Sequence, residues 1–492
     1  MSAGMESAAA ASGRMGRGAQ HEQAELPALA NREGVLADLT RVIAEAWASF
    51  DAPRTAEPLL SDDLVARLRA SLPDAPGDAE ATLADAARVL DASVSPSRPL
   101  FLAYIGSTGL EIGVLASALA ATYDANLATS AGGADLVERQ ALEWVASFIG
   151  FPLAEGAFTS GGMTSNLTAL LAAREHAIPG SRAEGLFGVR AAVYCSEEAH
   201  HSVIRAVETA GLGASAVRRI PLDSARRMRP DELDAALARD RAAGVVPVAV
   251  VATAGTTLTG AVDPLDAIAD VCAEHGVWLH IDGAYGLPAA ATATAAPLFA
   301  GLERADSATL DAHKWLGVQK SCSVVLLREP GRLRAAFGHE ERYMLHEGDV
   351  ANPVDQTLEY SRPLNSLRLW MAFRVHGADQ YRAWIDRTLA HARHLAADIR
   401  ARPDFELLHE PTLSTVCFRH TPPGLSPTDL DHHNVTLARA LQEDGRVFLA
   451  PAIVDGAACL RACFVNFRTT TDAVSHILTI TADLAESLLT AR

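Results

Sequence analysis

Val277–Tyr285, with the sequence VWLHIDGAY, is the stretch that decides the fold. It starts as a short apolar run with a β-branched residue at each end, a pattern typical of a buried parallel strand. The run ends at Asp282, and Gly283 and Ala284 follow at once. Open α/β sheets bind their ligands at the carboxyl ends of the strands. A carboxylate at this position therefore predicts a ligand site at that edge of a sheet.

Similar apolar runs recur on both sides of this stretch and alternate with helical patterns such as Ala134–Ile149. The runs are Ala191–Cys195, Val246–Ala252 and Ser323–Leu327. Such alternation predicts an α/β domain over residues 99–375, with helices on both faces of a mainly parallel sheet.

Three further segments flank this domain. Residues 1–27 lack sustained periodicity and predict a disordered tail. Residues 28–98 carry apolar residues at helical spacing and predict an N-terminal helical arm. Residues 376–492 predict a smaller α+β domain. Its expected elements are a helix over Tyr381–Arg400 and strands at Ser414–Phe418 and Leu460–Phe467.

The composition excludes several classes of protein. The chain has 492 residues, 49% hydrophobic and 21% charged, as in a large globular protein. Its formal charge of −18 disfavours nucleic acid and anionic membranes as partners. Its apolar stretches are shorter than the roughly 20 residues of a membrane span, and no apolar signal core precedes them, so we expect a cytoplasmic protein. The six scattered cysteines fit neither a disulfide framework nor a zinc site, which predicts free buried thiols and no metal.

Lysine is almost absent, since only Lys314 and Lys320 occur among the 42 basic residues. Chemistry that needs a primary amine therefore has two candidates. Lys314 lies in DAHKW, residues 311–315, downstream of Asp282. Pyridoxal phosphate chemistry needs an amine that forms a Schiff base and a carboxylate that keeps the pyridine nitrogen protonated. The alternative for Lys314 is a solvated surface charge, which the neighbouring Trp315 disfavours.

Two other stretches favour a bound phosphorylated ring. FTSGGMTSN, residues 158–166, leads small residues into a helical pattern, and the N-terminus of a helix attracts phosphate. Neither the Walker pattern nor the dinucleotide glycine fingerprint is present. EEAHHS, residues 197–202, places imidazoles after a strand, where one could stack on a planar ring. For either histidine, a capping or core role is the alternative.

Five ordered motifs together resemble those of the group II pyridoxal phosphate dependent amino acid decarboxylases, which include aromatic L-amino acid, histidine and glutamate decarboxylases. They are GGMTSNLTALLAAR (161–174), CSEEAHHSVIRA (195–206), ATAGTTLTGAVDPL (252–265), WLHIDGAYG (278–286) and DAHKWLGV (311–318). The resemblance runs from about residue 99 through 377. It implies a fold type I enzyme with a seven-stranded sheet. It also implies a homodimer with active sites at the interface.

The resemblance also assigns roles to residues. It makes Lys314 the Schiff-base lysine, Asp282 the partner of the pyridine nitrogen, and His200 the residue stacked on the ring and contacting the substrate carboxylate. Ala284 would cover the other ring face, Thr257 would lie near the phenolic oxygen, and Gly162, Met163 and His313 would hold the phosphate. Many members have Ser-Glu where this chain has Met163-Thr164, so a hydroxyl contact to the phosphate is lost or moves to Thr164.

Four more positions bear on the reaction and the substrate. Decarboxylating members carry a Tyr on a mobile loop beyond the lysine, whereas relatives with Phe there tend to make aldehydes. ERYMLH, residues 341–346, supplies Tyr343 as that residue, with loop closure expected before chemistry. Tyr104, Asn126 and Arg362 are the candidate substrate residues. Asn126 stands where aromatic-specific members have a large apolar ring, which weakens the case for an aromatic substrate.

The sequence therefore predicts an L-amino acid decarboxylase that releases carbon dioxide and the corresponding amine. The family favours an aromatic side chain, and acidic, diamino or aliphatic side chains remain open. One alternative is an aldehyde synthase of the same fold. Another is an aminotransferase that uses Arg461 or Arg468 for the substrate carboxylate. A third is a catalytically silent scaffold, which the intact Lys314 and Asp282 disfavour.

Overall fold

The computed structural model describes residue 29 and residues 31–52, 60–128, 131–339 and 352–490. The predicted tail, residues 1–27, lies outside these ranges. The helices are α1 Arg32–Phe50, α2 Asp62–Leu68, α3 Ala79–Asp91, α4 Glu111–Tyr123, α5 Gly133–Ile149, α6 Gly162–Ala177, α7 Ser181–Glu184, α8 His201–Thr209, α9 Pro230–Ala242, α10 Leu265–His275, α11 Arg332–Phe337, α12 Ser366–Arg400, α13 Pro427–Asp444, α14 Thr471–Ser475 and α15 Ile477–Thr490. The strands are β1 Glu155–Thr159, β2 Ala191–Ser196, β3 Val217–Ile220, β4 Val246–Thr253, β5 Trp278–Asp282, β6 Ser307–Asp311, β7 Ser323–Leu327, β8 Phe405–His409, β9 Thr415–His420, β10 Ala450–Val454 and β11 Ala457–Cys463.

The described residues up to Ala46, together with Leu60–Leu90, form one compact unit. Its helices α1, α2 and α3 fall where the apolar spacing predicts helices. The unit is thinly packed, because α1 and α3 bury none of their residues and α2 buries Leu64. Several of its large apolar side chains are therefore exposed, namely Leu36, Leu39, Leu68, Leu72 and Leu90.

The second unit contains a seven-stranded sheet in the order β1-β7-β6-β5-β4-β2-β3. Strands β6, β5, β4, β2 and β3 run parallel, and of the four runs that the sequence predicts as parallel strands, β5, β4 and β2 do so. Strand β7 is antiparallel to both of its neighbours. The connection from β6 to β7 is short and contains no helix, and a parallel pair would need a longer crossover. This sheet confirms the predicted fold type.

Helices cover both faces of the sheet, which explains its continuous apolar strands. On β2, Ala192 and Tyr194 point into a core shared with α5, α9, α10 and α12. Val193 and Cys195 point into a second core shared with α6, α8 and α11. The four strands predicted from apolar runs agree with the structure to within one residue. Strands β1, β3 and β6 were missed because they are short and mix in small or charged residues.

The C-terminal part contains a four-stranded antiparallel sheet in the order β10-β11-β9-β8. Helix α12 leads into it and breaks at Gly377, whose φ of 72° lies in the left-handed region that favours glycine. The predicted helix Tyr381–Arg400 is the part of α12 beyond this break. All six cysteines are buried free thiols. Within the described ranges, no helix has the length and apolar character to span a membrane.

Candidate active site

The polar residues that the sequence singles out converge because the parallel strands end at one edge of the sheet. Asp282 is the last residue of β5, and it pairs in register with Thr253 on β4 and Thr309 on β6. His200 follows the end of β2, and Lys314 follows the end of β6. Residues far apart in the chain thus meet at one point.

A cavity of about 90 Å³ lies at this edge. It brings together seven of the predicted residues, namely Lys314, Asp282, His200, Ala284, Thr257, Gly162 and Met163. Five further residues line the cavity although the sequence predicts no role for them, namely Ser202, Thr253, Gly255, Tyr285 and Asp311. All five lie inside the quoted motifs, so the signal that could have identified them was their closeness in sequence to the predicted site residues.

Lys314 presents its amine to a buried carboxylate. Its Nζ atom lies 3.0 Å from Oδ2 of Asp311, and its side chain is 24% exposed. The other carboxylate oxygen of Asp311 is buried without a hydrogen-bond partner among the described residues. Lys320, by contrast, is exposed. The structure therefore places Lys314, and not Lys320, at the cavity.

Asp282 is held by donors on both oxygens. Its Oδ2 atom accepts a hydrogen bond from Nδ2 of Asn166 at 2.9 Å, and its Oδ1 atom accepts one from the backbone N–H of Ala284 at 3.2 Å. The residue is 5% exposed. Two donors on a buried carboxylate satisfy its oxygens and fix its orientation at the end of β5.

Behind Asp282, the ring of His280 is fully buried. Its Nε2 atom lies 3.0 Å from Oδ1 of Asn166, and its Nδ1 atom lies 2.8 Å from Oγ of Ser307. Burial lowers the pKa of His280 to about 4, although the nearby Asp282 opposes this shift. The imidazole is therefore neutral near pH 7.

The low pKa of His280 predicts acid sensitivity of the fold. The ordinary pKa is about 6.5, so the stability that the neutral ring contributes is complete above that pH and is lost as the pH falls toward 4. We expect this loss to reach about 2 kcal/mol between pH 7 and pH 5. Urea unfolding at both pH values measures it. His280→Gln, which cannot titrate, should lose less stability over this interval, and an equal loss in both proteins would contradict the assignment.

His200 caps α8. Its Nδ1 atom accepts a hydrogen bond from the backbone N–H of Ser202 at 3.2 Å and lies 2.8 Å from the hydroxyl oxygen of that residue. Burial lowers the pKa of His200, and Asp282 opposes that shift. The capping role considered for this histidine is thus present, and the ring also lines the cavity.

The N-terminus of α6 faces the same cavity through Gly162 and Met163. The first N–H groups of a helix have no partner within the helix and can bind an anion. A Cβ atom at position 162 would lie 2.9 Å from the carboxylate of Asp311, so this close approach requires glycine. Thr164 does not line the cavity, and its hydroxyl pairs with that of Ser160 at 3.1 Å.

The structure places His313 beside the cavity instead of on its lining. Its Nδ1 atom lies 3.0 Å from the carbonyl oxygen of Cys322, to which it can donate, and its Nε2 atom lies 3.7 Å from Asp311. Tyr343 lies outside the described residues, so its catalytic role stays a sequence-based prediction.

The three candidate substrate residues do not line this cavity. Tyr104 is 62% exposed and sits near the ring of Phe448. Asn126 accepts hydrogen bonds from the backbone N–H groups of Ala128 and Arg362. The guanidinium of Arg362 is buried in a two-pronged ion pair with Glu138. Because this guanidinium is already paired with Glu138, Arg362 is not proposed as a substrate residue.

Comparison with known proteins identifies this arrangement. Residues 62–421 match the family model of the pyridoxal-dependent decarboxylase conserved domain. The chain belongs to this decarboxylase family. The decarboxylase is 33% identical over 442 residues to the aromatic-L-amino-acid decarboxylase of Bacillus atrophaeus, covering 88% of this chain and 91% of that one. It is 35% identical over 296 residues to the cysteine sulfinic acid decarboxylase of Rattus norvegicus, covering 59% and 60%.

A solved structure agrees with this assignment. The decarboxylase superposes on Oryza sativa TDC with PLP and tryptamine at a TM-score of 0.87, with 26% identity, covering 94% of this chain and 99% of that one. The family and its relatives make this chain a pyridoxal phosphate dependent amino acid decarboxylase, a carboxy-lyase, which confirms the predicted family and cofactor. The cavity fits that cofactor, because it combines an amine, a buried carboxylate, a helix N-terminus and an oxygen of Asp311 that has no hydrogen-bond partner in the part of the chain that the structure describes.

Proposed function

We propose that this decarboxylase removes the α-carboxylate of an L-amino acid by means of Lys314, Asp282 and His200. The observation that supports this proposal is the meeting of these three side chains at one cavity. Pyridoxal phosphate, when bound, supplies an electron-accepting ring that takes up the charge left as carbon dioxide departs. The chain must supply an amine, a counter-charge and a means of orienting the substrate.

The proposed roles of the described residues follow from the positions of their side chains, and that of Tyr343 follows from its place in the sequence. Lys314 offers its amine for covalent attachment, with Asp311 3.0 Å away to hold and exchange its proton. Asp282 places its negative charge at the end of β5, where it stabilises a protonated ring nitrogen. His200 and Ala284 line the cavity and would hold the ring of the cofactor, while the N-terminus of α6 would bind its phosphate. Tyr343 is proposed to protonate the α-carbon.

We propose aromatic L-amino acids as the first substrate class. The relative that matches this chain over 88% of its length is an aromatic-L-amino-acid decarboxylase. Acidic and sulfinic amino acids are the second class, because the rat cysteine sulfinic acid decarboxylase is 35% identical over a shorter region. Asn126 accepts hydrogen bonds from backbone groups, so its side chain is engaged in the local fold.

The test is carbon dioxide release from each L-amino acid and from hydroxylated, diamino and sulfinic relatives, with identification of the organic product. The expected result is stoichiometric amine from one class of substrate. Aldehyde accompanied by peroxide and ammonia would instead establish the aldehyde synthase alternative. Amino group transfer to a keto acid without carbon dioxide would establish an aminotransferase.

We also propose that the enzyme is a homodimer that joins through α4. Leu115, Leu119 and Tyr123 follow one another at four-residue spacing on this helix and are 47%, 46% and 82% exposed. A row of large apolar side chains open to water is typical of a surface that another chain covers. Tyr104, which is also exposed, would then be available to the site of the second copy.

Replacing Leu119 by Glu should break this dimer, because it places a charge inside the apolar contact. Light scattering should give twice the chain mass of 51.9 kDa for the wild type and a single chain for Leu119→Glu. Carbon dioxide release should fall with the dimer. Phe187→Glu, an exposed apolar residue outside α4, is the matched control and should stay dimeric. A wild-type protein of single-chain mass would refute the dimer.

A further inference from the structure

Behind the cavity, buried polar side chains of α6, β5 and β6 form a hydrogen-bond network. Asn166 is 1% exposed, and His280 and Ser307 are fully buried. Trp278 joins them because its indole Nε1 lies 2.8 Å from Oγ of Ser307. Asn166 lies one helical turn after Gly162 and therefore on the same helix face. His280 lies two residues before Asp282 and therefore on the same strand face.

The two groups at the ends of this network determine which atom donates in each hydrogen bond. The indole of Trp278 can only donate and the carboxylate of Asp282 can only accept. Ser307 accepts from the indole, so its hydroxyl proton is free to point at Nδ1 of His280, 2.8 Å away. The ring proton of His280 then sits on Nε2 and is donated to Oδ1 of Asn166 at 3.0 Å. The amide nitrogen of Asn166 accordingly faces Oδ2 of Asp282.

The same amide nitrogen supports His200 through a second branch. It donates to Oγ of Ser202 at 3.2 Å, and that hydroxyl lies 2.8 Å from Nδ1 of His200. The backbone N–H of Ser202 also points at Nδ1. Because a backbone N–H can only donate, Nδ1 must accept. The proton of the neutral His200 ring therefore resides on Nε2.

We infer that Asn166 is a positioning residue that orients the carboxylate of Asp282 and, through the hydroxyl of Ser202, supports the His200 ring form that carries its proton on Nε2. The inference rests on the proposed roles of Asp282 and His200. With its proton on Nε2, a neutral His200 can donate a hydrogen bond to a substrate carboxylate without an added charge. One amide thus links Asp282, at the end of β5, to His200, at the N-terminus of α8.

Nitrogen NMR of protein labelled with ¹⁵N only in histidine tests this directly, in both apoprotein and holoenzyme. The chain has 17 histidines, and His200→Gln identifies the signals of His200 by their loss. We expect an unprotonated Nδ1 and a protonated Nε2 in the wild type near pH 7. A protonated Nδ1 would overturn the inference without recourse to any further variant.

Asn166→Leu removes the donor to Ser202 and to Asp282, so it should shift the nitrogen signals of His200 while Nδ1 stays an acceptor of the backbone N–H. It should lower carbon dioxide release about 10–100-fold, because misplaced reacting groups lose rate on that order. Ser202→Ala removes the second branch alone, so it should disturb the His200 signals and leave Asp282 bonded to Asn166. Thr168→Val is the matched control, since this buried hydroxyl of α6 donates to the carbonyl of Thr164, and its His200 signals should match the wild type.

The outcomes separate this inference from the proposed function. Full carbon dioxide release with a proton on Nδ1 of His200 would refute the positioning role and leave the decarboxylase assignment intact. Unchanged His200 signals in a folded Asn166→Leu protein would likewise refute it. If the wild-type protein gives the expected His200 signals but releases no carbon dioxide, the hydrogen-bond network is supported and the proposed reaction is refuted.

Discussion

Lys314→Ala is expected to lower carbon dioxide release by about 10³-fold or more, because the proposed role of Lys314 is to supply the amine that attaches the cofactor and exchanges protons with the substrate. The visible absorbance of the bound cofactor should disappear with it. This is the largest effect we expect from a single substitution. Steady-state assays and an absorbance spectrum of the variant measure both consequences.

The composition provides an unusually clean control. Lys320 is the other lysine of the chain and is exposed, so Lys320→Ala should retain activity within about twofold, as a surface substitution should. Borohydride reduction of the holoenzyme followed by mass spectrometry should label the peptide that contains Lys314. Label on Lys320, or turnover by Lys314→Ala, would refute the role assigned to Lys314.

Asp282→Asn is expected to lower carbon dioxide release about 10²–10³-fold, because a neutral amide cannot balance the positive charge of a protonated ring nitrogen. The variant should still bind the cofactor through Lys314 and the N-terminus of α6. The expected signature is therefore a loss of turnover with retained, spectrally shifted absorbance. Titration of the apoprotein with the cofactor, followed by kinetics, separates the two effects.

Two controls accompany Asp282→Asn. Asp306 lies at the opposite end of β6 and pairs with Arg328, so Asp306→Asn should leave turnover within about twofold. Urea unfolding of the apoproteins shows whether Asp282→Asn damages the fold, since its oxygens accept two hydrogen bonds. Wild-type turnover in Asp282→Asn would exclude the counter-charge role.

The sequence predicted the fold well where local pattern is sufficient. The apolar run that ends at Asp282 predicted a buried strand, and β5 spans Trp278–Asp282. The reversal of β7 was not predictable in this way, because an antiparallel strand buried on both faces has the same apolar pattern as a parallel one. Strand β6, with the sequence SATLD, was missed because its burial comes from the neighbouring strands and not from its own hydrophobicity.

The sequence by itself determined the chemistry: two lysines, a carboxylate at the end of an apolar run and an ordered set of motifs indicated one cofactor and one family. Only the tertiary structure determined which side chains contact one another. Arg362 is bound to Glu138, 224 residues away, and Asn166 contacts Asp282, 116 residues away. Such pairs depend on which helix packs against which strand end. Local periodicity fixes the face on which a side chain lies, but packing of distant segments selects the group that it meets.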